Sequence, residues 1–343
     1  MEFSESMDDA WDKFINFGIT ENNIEEPIIS REILNSNEIP DSTPIFISTK
    51  TKIIYLNVSI DLKELFWKLP MINYDNLDEG IIKKEIRFNF VSKEDVTEFE
   101  ENIQIMNNNN VKNLNVVILN QINNPTGRVK FKDIRKVDIG ICKNDLIKNK
   151  NNKNEKKTKN AFYNSFVIIY RILIDDKYKE FHIKMFNTGK IEIPGIQTES
   201  SVDLIMKKLI GILNPYYNEP IYENERTTIL INSNFSCNYY INREKLFHIL
   251  KTKYEIGGNY DPCSYPGILC KYKIGNKKVS FMIFRTGSVL IVGKCNDDDV
   301  NCIYQYLIKL FKDEYNEICE LNSIILPKKI KKKVKKTMFL KSN

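Results

Sequence analysis

A ten-residue pattern occurs twice in this chain, and each time the same amphipathic segment follows it at the same distance. Phe186-Asn187-Thr188-Gly189-Lys190-Ile191-Glu192-Ile193-Pro194-Gly195 corresponds to Phe284-Arg285-Thr286-Gly287-Ser288-Val289-Leu290-Ile291-Val292-Gly293, a shift of 98 positions from 186 to 284. The same shift carries Val202, Ile205, Met206, Leu209, Ile210 and Leu213 onto Val300, Ile303, Tyr304, Leu307, Ile308 and Phe311. Apolar residues at i, i+3, i+4, i+7, i+8 and i+11 make one face of a helix. A strand–turn–strand–helix unit has been duplicated, and pseudo-two-fold symmetry is expected.

The duplication extends upstream with a different spacing. Ile60 to Leu69 resembles Ile241 to Leu250, with Leu65, Phe66 and Leu69 on Leu246, Phe247 and Leu250, a shift of 181. The first copy therefore holds 83 residues more than the second (181 − 98) between its first helix and its last hairpin. Each unit reads as strand (Ile53 to Val58; Ile229 to Phe235), helix, several strands, helix. Two such units side by side predict an α+β fold, one antiparallel sheet with helices on a single face and the other face open.

Bulk properties narrow the function classes. At 343 residues and 42% hydrophobic the chain can bury a sizeable core. No apolar run is long enough to cross a bilayer. The start, Met1 to Asp9, is acidic and lacks the basic and apolar segments of a signal peptide. Seven Cys without a C-x-x-C pair point to reduced thiols in an intracellular protein. Neither that spacing nor two His residues suit a metal site, so no metal or other cofactor is expected. His182 and His248 lie within apolar strand and helix patterns and read as packing residues. No P-loop, glycine-rich nucleotide signature or acid pair appears, which argues against an enzyme.

A net charge of +6 is unevenly spread. Residues 1–48 form an acidic leader, expected to be disordered or partner-binding, and residues 323–343 form a tail with the basic run Pro327 to Lys336. That run suits a solvated tail, a nuclear-import signal or a non-specific phosphate binder. The extra segment of the first copy, at about residues 71–160, contains the low-complexity stretches Asn107 to Asn110 and Lys148 to Asn160. Between them, Asn124 to Gly127 reads as a turn. Arg128 to Lys132, then Val137, Ile139 and Ile141, alternate as half-buried strands do. Ile86, Phe88 and Phe90 show the same alternation, so extra strands or a small subdomain are expected.

An uncovered sheet face bearing aromatic and aliphatic residues beside Lys and Arg suits the DNA minor groove. Its floor offers few hydrogen-bonding groups and its walls are phosphates. Tyr265-Pro266-Gly267-Ile268-Leu269, followed by Phe281 to Lys294, resembles the second repeat of TATA-box-binding proteins, and Lys184 to Gly195 resembles the matching segment of the first repeat. The resemblance covers residues 49–225 as a first repeat with its insertion and residues 226–322 as a second. The Asn- and Lys-rich insertion and acidic leader are most similar to the divergent members of large DNA viruses.

That resemblance implies a saddle, with two pseudo-symmetric repeats forming one curved antiparallel sheet and the helices on the convex face. It implies a non-enzymatic initiation factor that binds and bends double-stranded A·T-rich DNA as a monomer. Minor-groove kinking by inserted apolar wedges is typified by this family. The implied partners are a IIB-type transcription factor and RNA polymerase, with no membrane. The implied location is the nucleus or a cytoplasmic viral factory, with packaging in the virion a further option. Carried over residue by residue, the inserted aromatic pairs are Tyr265 with Phe284, and Phe186 with Phe166 if one gap is allowed; an ungapped alignment puts Ser165 in the place of Phe166. A one-residue slip on a strand changes the face. Core packing is the structural alternative for each aromatic. Phosphate contacts fall to Arg171, Lys190 and Lys271, with Lys294 adjacent to another basic position of the family.

The chain also departs from the family. Ser288 replaces a lysine, Pro194 and Val292 replace hairpin threonines in the base-contacting positions, and the strand-start asparagines are read as missing near Thr49 and Thr228. Shape and deformability of the duplex then carry more of the selectivity. These departures support a competing reading, a protein-interaction module of the transcription machinery with little or no DNA binding. A base-excision glycosylase is the enzymatic alternative, but it needs a helical domain with a catalytic carboxylate or lysine. An acidic leader folding over the open face as a DNA mimic is a further idea, suggested by its charge and by Phe3, Trp11, Phe14 and Phe17.

Overall fold

The computed structural model describes residues 39–108, 113–124, 126–148 and 164–320. Most of the leader with its four aromatic residues, residues 109–112, most of the Lys148 to Asn160 stretch and the basic tail lie outside the described residues. The described chain forms two compact units, residues 48–231 and residues 232–320 with 39–47.

The first unit runs β1 (Phe46–Leu56), α1 (Leu62–Lys68), β2 (Gly80–Phe90), α2 (Lys93–Asn108), β3 (Leu114–Asn123), β4 (Phe131–Gly140), α3 (Lys143–Lys148), β5 (Ser165–Ile174), β6 (Lys177–Phe186), β7 (Lys190–Ile196) and α4 (Glu199–Leu213). Its strands lie in the order β3-β4-β2-β5-β6-β7-β1 and pair antiparallel. The second runs β8 (Glu223–Ser236), α5 (Arg243–Thr252), β9 (Gly257–Asn259), β10 (Ile268–Ile274), β11 (Lys277–Ile283), β12 (Ser288–Gly293), α6 (Asp297–Asp313) and α7 (Tyr315–Ile318), with strand order β8-β12-β11-β10-β9. The fold is α+β, an antiparallel sheet with helices, as the duplication predicts. β1 and β8 begin earlier than the apolar runs at Ile53 and Ile229, because strand pairing continues past the last buried side chain.

The duplicated positions do the same physical work in each unit. Asp61 caps α1 by accepting from the Lys63 and Glu64 amides, and Asn242, 181 residues on, caps α5 by accepting from Lys245. Thr198 caps α4 and Asn296, 98 residues on, caps α6. Short polar side chains suit these positions because the first amides of a helix have no partner within it. Val202, Ile205, Met206, Leu209 and Leu213 are buried, as are Val300, Ile303, Tyr304, Leu307 and Phe311, while Ile210 and Ile308 are half-buried. Hydrogen bonds repeat as well. Ile60 N–H donates to the Asn187 carbonyl and Ile241 N–H to the Arg285 carbonyl, each at 2.9 Å. Gly189 and Gly287 close the hairpins at φ 80° and 79°. A Cβ on either would lie 2.1 Å from the Val58 carbonyl oxygen or 2.3 Å from that of Tyr239, so only glycine fits.

The insertion enlarges the sheet. β2, of 11 residues, lies beside β5 where the 3-residue β9 lies beside β10, and β4 and β3 extend it outward. Ile86, Phe88 and Phe90 fall on β2, and Val137 and Ile139 on β4, as their alternation predicts. Residues 128–130, expected in a strand, instead belong to the β3–β4 turn, which Asn124 N–H closes by donating to the Lys130 carbonyl (2.9 Å). Helix α2 covers the added strands. Its Phe99 ring sits 5.1 Å from both Phe88 and Phe90 and 6.0 Å from Trp67. Arg135 stacks on Phe99 and is ion-paired to Glu100 and to the fully buried Asp133. Lys84 is also buried, donating to the Phe66 carbonyl (2.8 Å) and the Leu69 carbonyl at the end of α1; burial pushes its pKa down to about 8.

Candidate nucleic-acid interface

Strand register decides which side chains share the face away from the helices. In the second unit Phe281, Ile283, Val289 and Ile291 are buried on the helix side. The alternate cross-strand partners are Met282 with Leu290, Met282 with Leu269, Ser280 with Val292, and Ser280 with Lys271. Lys273 pairs with Lys278 on the same face. This face is apolar and basic: Met282, Ser280 and Val292 are buried in it, Leu269 and Leu290 are half-buried, Lys271, Lys273 and Lys278 are exposed, and no carboxylate stands on these rows.

At one end of that surface Tyr265 and Phe284 meet, ring centroids 5.9 Å apart at 62°. Both rings are half-buried. Gly267 makes their approach possible, since a Cβ there would lie 3.0 Å from the Tyr265 ring and 3.1 Å from the Phe284 ring. The Tyr265 hydroxyl donates to Met282 Sδ at 3.3 Å, and burial raises its pKa. The substituted hydroxyl therefore has a partner inside the face. Lys271 and Lys294 are exposed, and Val292 is buried at 4% beside Ser280.

The first unit differs. Phe186 is half-buried with the Lys190 ammonium 4.9 Å above its ring. The residue opposite Phe186 is Ser165, while Phe166 faces Met185 and is fully buried, 5.6 Å from Phe66 of α1. Phe166 is thus a core residue on the helix side, and its assignment as the partner of Phe186 is corrected. The slip arose because an apolar strand of this kind, buried along nearly its whole length, shows no alternation. Met185 matches Ile283 at the shift of 98, and Phe166 faces Met185 as Ile268 faces Ile283. Three residues before Ile268 stands Tyr265; three before Phe166 stands Tyr163, which lies outside the described residues.

Arg171 is corrected too. Only 2% exposed, it donates to the carbonyls of Tyr74 (2.9 Å) and Asn76 (2.7 Å), with its guanidinium 4.5 Å from the Tyr74 ring. Tyr74, Ile82, Cys142 and Ile169 form a small apolar cluster on this side of the sheet, so the insertion covers part of the face. Ion pairs lie beside it: Lys83 with Glu85 and Asp145, Lys136 with Glu85 and Asp138, and Lys184 with Glu192. Burial and the Lys184 charge push the His182 pKa down to about 4, so it is neutral near pH 7. Pro194 is half-buried at an irregularity in the β1–β7 pairing, between Ile193 and Ile196, where it need not donate to the ladder.

Two residues escaped the sequence reading. Asn232 and Asn234 alternate along β8 with the buried Ile231, Ser233 and Phe235, so their half-buried amides lie on the open-face side. The alternation from residue 231 to 235 was the signal. Among the described residues no group of three His, Cys, Asp or Glu could hold a metal ion, and no helix is long and apolar enough to cross a membrane.

Residues 231–313 match the family model described as "Transcription factor TFIID (or TATA-binding protein, TBP)". A TATA-box-binding protein-like protein of Acanthamoeba polyphaga mimivirus is 28% identical over 195 residues, covering 48% of this chain and 52% of the relative. A TATA-box-binding protein of Pyrobaculum calidifontis is 22% identical over 142 residues, covering 41% of this chain and 64% of the relative. The chain thus spans about half of the viral relative and under two thirds of the archaeal one. The solved Methanococcus jannaschii TBP aligns with a TM-score of 0.42 at 14% identity, over 79% of this chain and 99% of that one. The family model on its second repeat and two relatives of the same kind support a divergent likeness to the TATA-box-binding protein family.

Proposed function

We propose that this protein is a non-enzymatic, TATA-binding-protein-like transcription initiation factor that binds the DNA minor groove and bends the duplex. The observation that carries this reading is the Tyr265–Phe284 ring pair at the end of an aliphatic, carboxylate-free face. Flat apolar rings at the edge of such a face suit insertion at a base step, while aliphatic side chains suit the groove floor. Lys271 and Lys294 are the phosphate-facing candidates in the second repeat and Lys190 in the first, where Phe186 is the candidate inserted ring. Asn232 and Asn234 are the candidate donors to base-edge acceptors. The DNA is A·T-rich, bound by one copy of the chain, and the bent complex is offered to a IIB-type factor and RNA polymerase, in the nucleus or a viral factory.

Bending is tested with an end-labelled A·T-rich duplex read by fluorescence transfer across a salt series. The expected result is bending by the native chain that collapses in Phe284→Ala. Binding by neither chain at low salt would reject the proposal. A second reading, a protein-interaction module of the transcription machinery, is favoured by the first repeat, where Arg171 is buried and the face is charge-paired. Retention of a IIB-type factor by a chain that ignores every duplex would establish it instead.

A further inference from the structure

The two repeats place chemically opposite pairs at one register position. Lys184 and Glu192 face each other across β6 and β7. Adding 98 to each number gives Met282 and Leu290, which face each other across β11 and β12. In the second repeat this position is aliphatic. In the first it is an ion pair with Nζ–Oε1 at 2.5 Å and side chains 18% and 17% exposed. Ile53 flanks Glu192 on one side and Val167 flanks Lys184 on the other. The pair therefore sits in the row of side chains that a groove floor would meet.

An A·T floor presents only acceptors, adenine N3 and thymine O2, whereas a G·C pair adds the guanine exocyclic amino group as a donor. Ionised Glu192 only accepts, so over A·T it would face further acceptors and lose water without replacement. Over G·C it meets a donor, and Lys184 meets the remaining acceptors. Desolvating an ion pair is tolerable only when its leftover hydrogen-bonding capacity is met. We propose that Lys184 and Glu192 make the first repeat a guanine-reading half, so that the DNA site is asymmetric. A G·C pair lies under the first repeat and A·T pairs lie under the second. This rests on the minor-groove reading above and goes beyond it by assigning base preference to a named pair.

The test is selection from a random duplex library by the full chain, followed by affinity measurements on the selected site. The expected site has one half of A·T alone and one half containing a guanine. Replacing that guanine by inosine, which keeps the pairing but lacks the exocyclic amino group, should weaken binding about tenfold. The double variant Lys184→Met with Glu192→Leu copies the second repeat's own pair and should bind inosine and guanine sites alike. Glu192→Gln keeps the side-chain size but adds a donor, and should shift the preference towards A·T. Thermal unfolding of each variant checks that it folds. Selection of A·T in both halves, or equal binding of guanine and inosine by the native chain, overturns the proposal while leaving minor-groove binding intact. Failure to retain any duplex rejects the minor-groove reading itself, so the two failures are distinct.

Discussion

The two repeats agree in their helix caps, hairpin glycines and buried helix faces and differ on the side of the strands away from the helices. Helix caps, hairpin glycines and buried helix faces recur at shifts of 181 and 98. On the open side, Met282 and Leu290 answer to Lys184 and Glu192, Ser280 to His182, and the exposed Lys271 contrasts with Arg171 buried under Tyr74. A helix-side methyl group removed costs stability at once, so that side is held. A side chain on an uncovered face is held only by what it binds. The contrast makes the second repeat the better candidate for contact with an apolar groove floor.

The contrast breaks most visibly if the aromatic residues are misplaced. Phe166→Ala should lose about 3–5 kcal/mol of stability, as for a fully buried aromatic, while Phe284→Ala should stay folded and lose DNA bending. Denaturant unfolding beside fluorescence transfer distinguishes them, and the reverse pattern would exchange their roles. The shared constraint comes next. Gly189→Ala and Gly287→Ala should each cost on the order of 1–3 kcal/mol through strain and contact with a facing carbonyl, and a large inequality between them would deny the repeats equivalent turns.

A pH difference should also separate the repeats. His182 has its folded pKa pushed down to about 4 from 6.5, by burial first and then by the Lys184 charge. Lys83 acts in the same direction as Lys184, and Glu85 and Glu192 oppose it. Above pH 6.5 the ring is neutral in both states and folding is not penalised. As pH falls from 6.5 to about 4, the unfolded chain takes up the proton first and stability declines, on the order of 1–2 kcal/mol. His182→Ser, which copies Ser280 of the second repeat, should remove that decline from urea midpoints measured between pH 7 and 4. The smallest effect concerns phosphate contact. Lys271→Met should lower the slope of log affinity against log salt by roughly one unit. Arg171→Met should leave the slope unchanged and lower stability, because its guanidinium serves the Tyr74 and Asn76 carbonyls.

Much of the fold was legible in residue order, and less of the site. The helices and their caps are local, since periodicity and a short polar side chain at the start act within a few residues. The aromatic pair at Tyr265 and Phe284 was readable only through the resemblance of the Tyr-Pro-Gly and Phe-x-Thr-Gly motifs to the family. The partner of Phe186 was not, because β5 is apolar along nearly its whole length and its register is set only by pairing with β6. The role of Arg171 was hidden because its acceptors lie at Tyr74 and Asn76, far away in the chain.

By itself the sequence determined the duplication and the antiparallel α+β architecture, because repeated local patterns encode repeated local structure, and its motifs carried the likeness to the TATA-box-binding protein family. Tertiary structure alone decided which side of each strand faces the helices, that β2 takes the place of β9 and extends the sheet through β4 and β3, and that Lys184 and Glu192 meet across neighbouring strands. The physical reason is that a strand's two faces differ by one position, and only pairing with strands distant in sequence tells them apart.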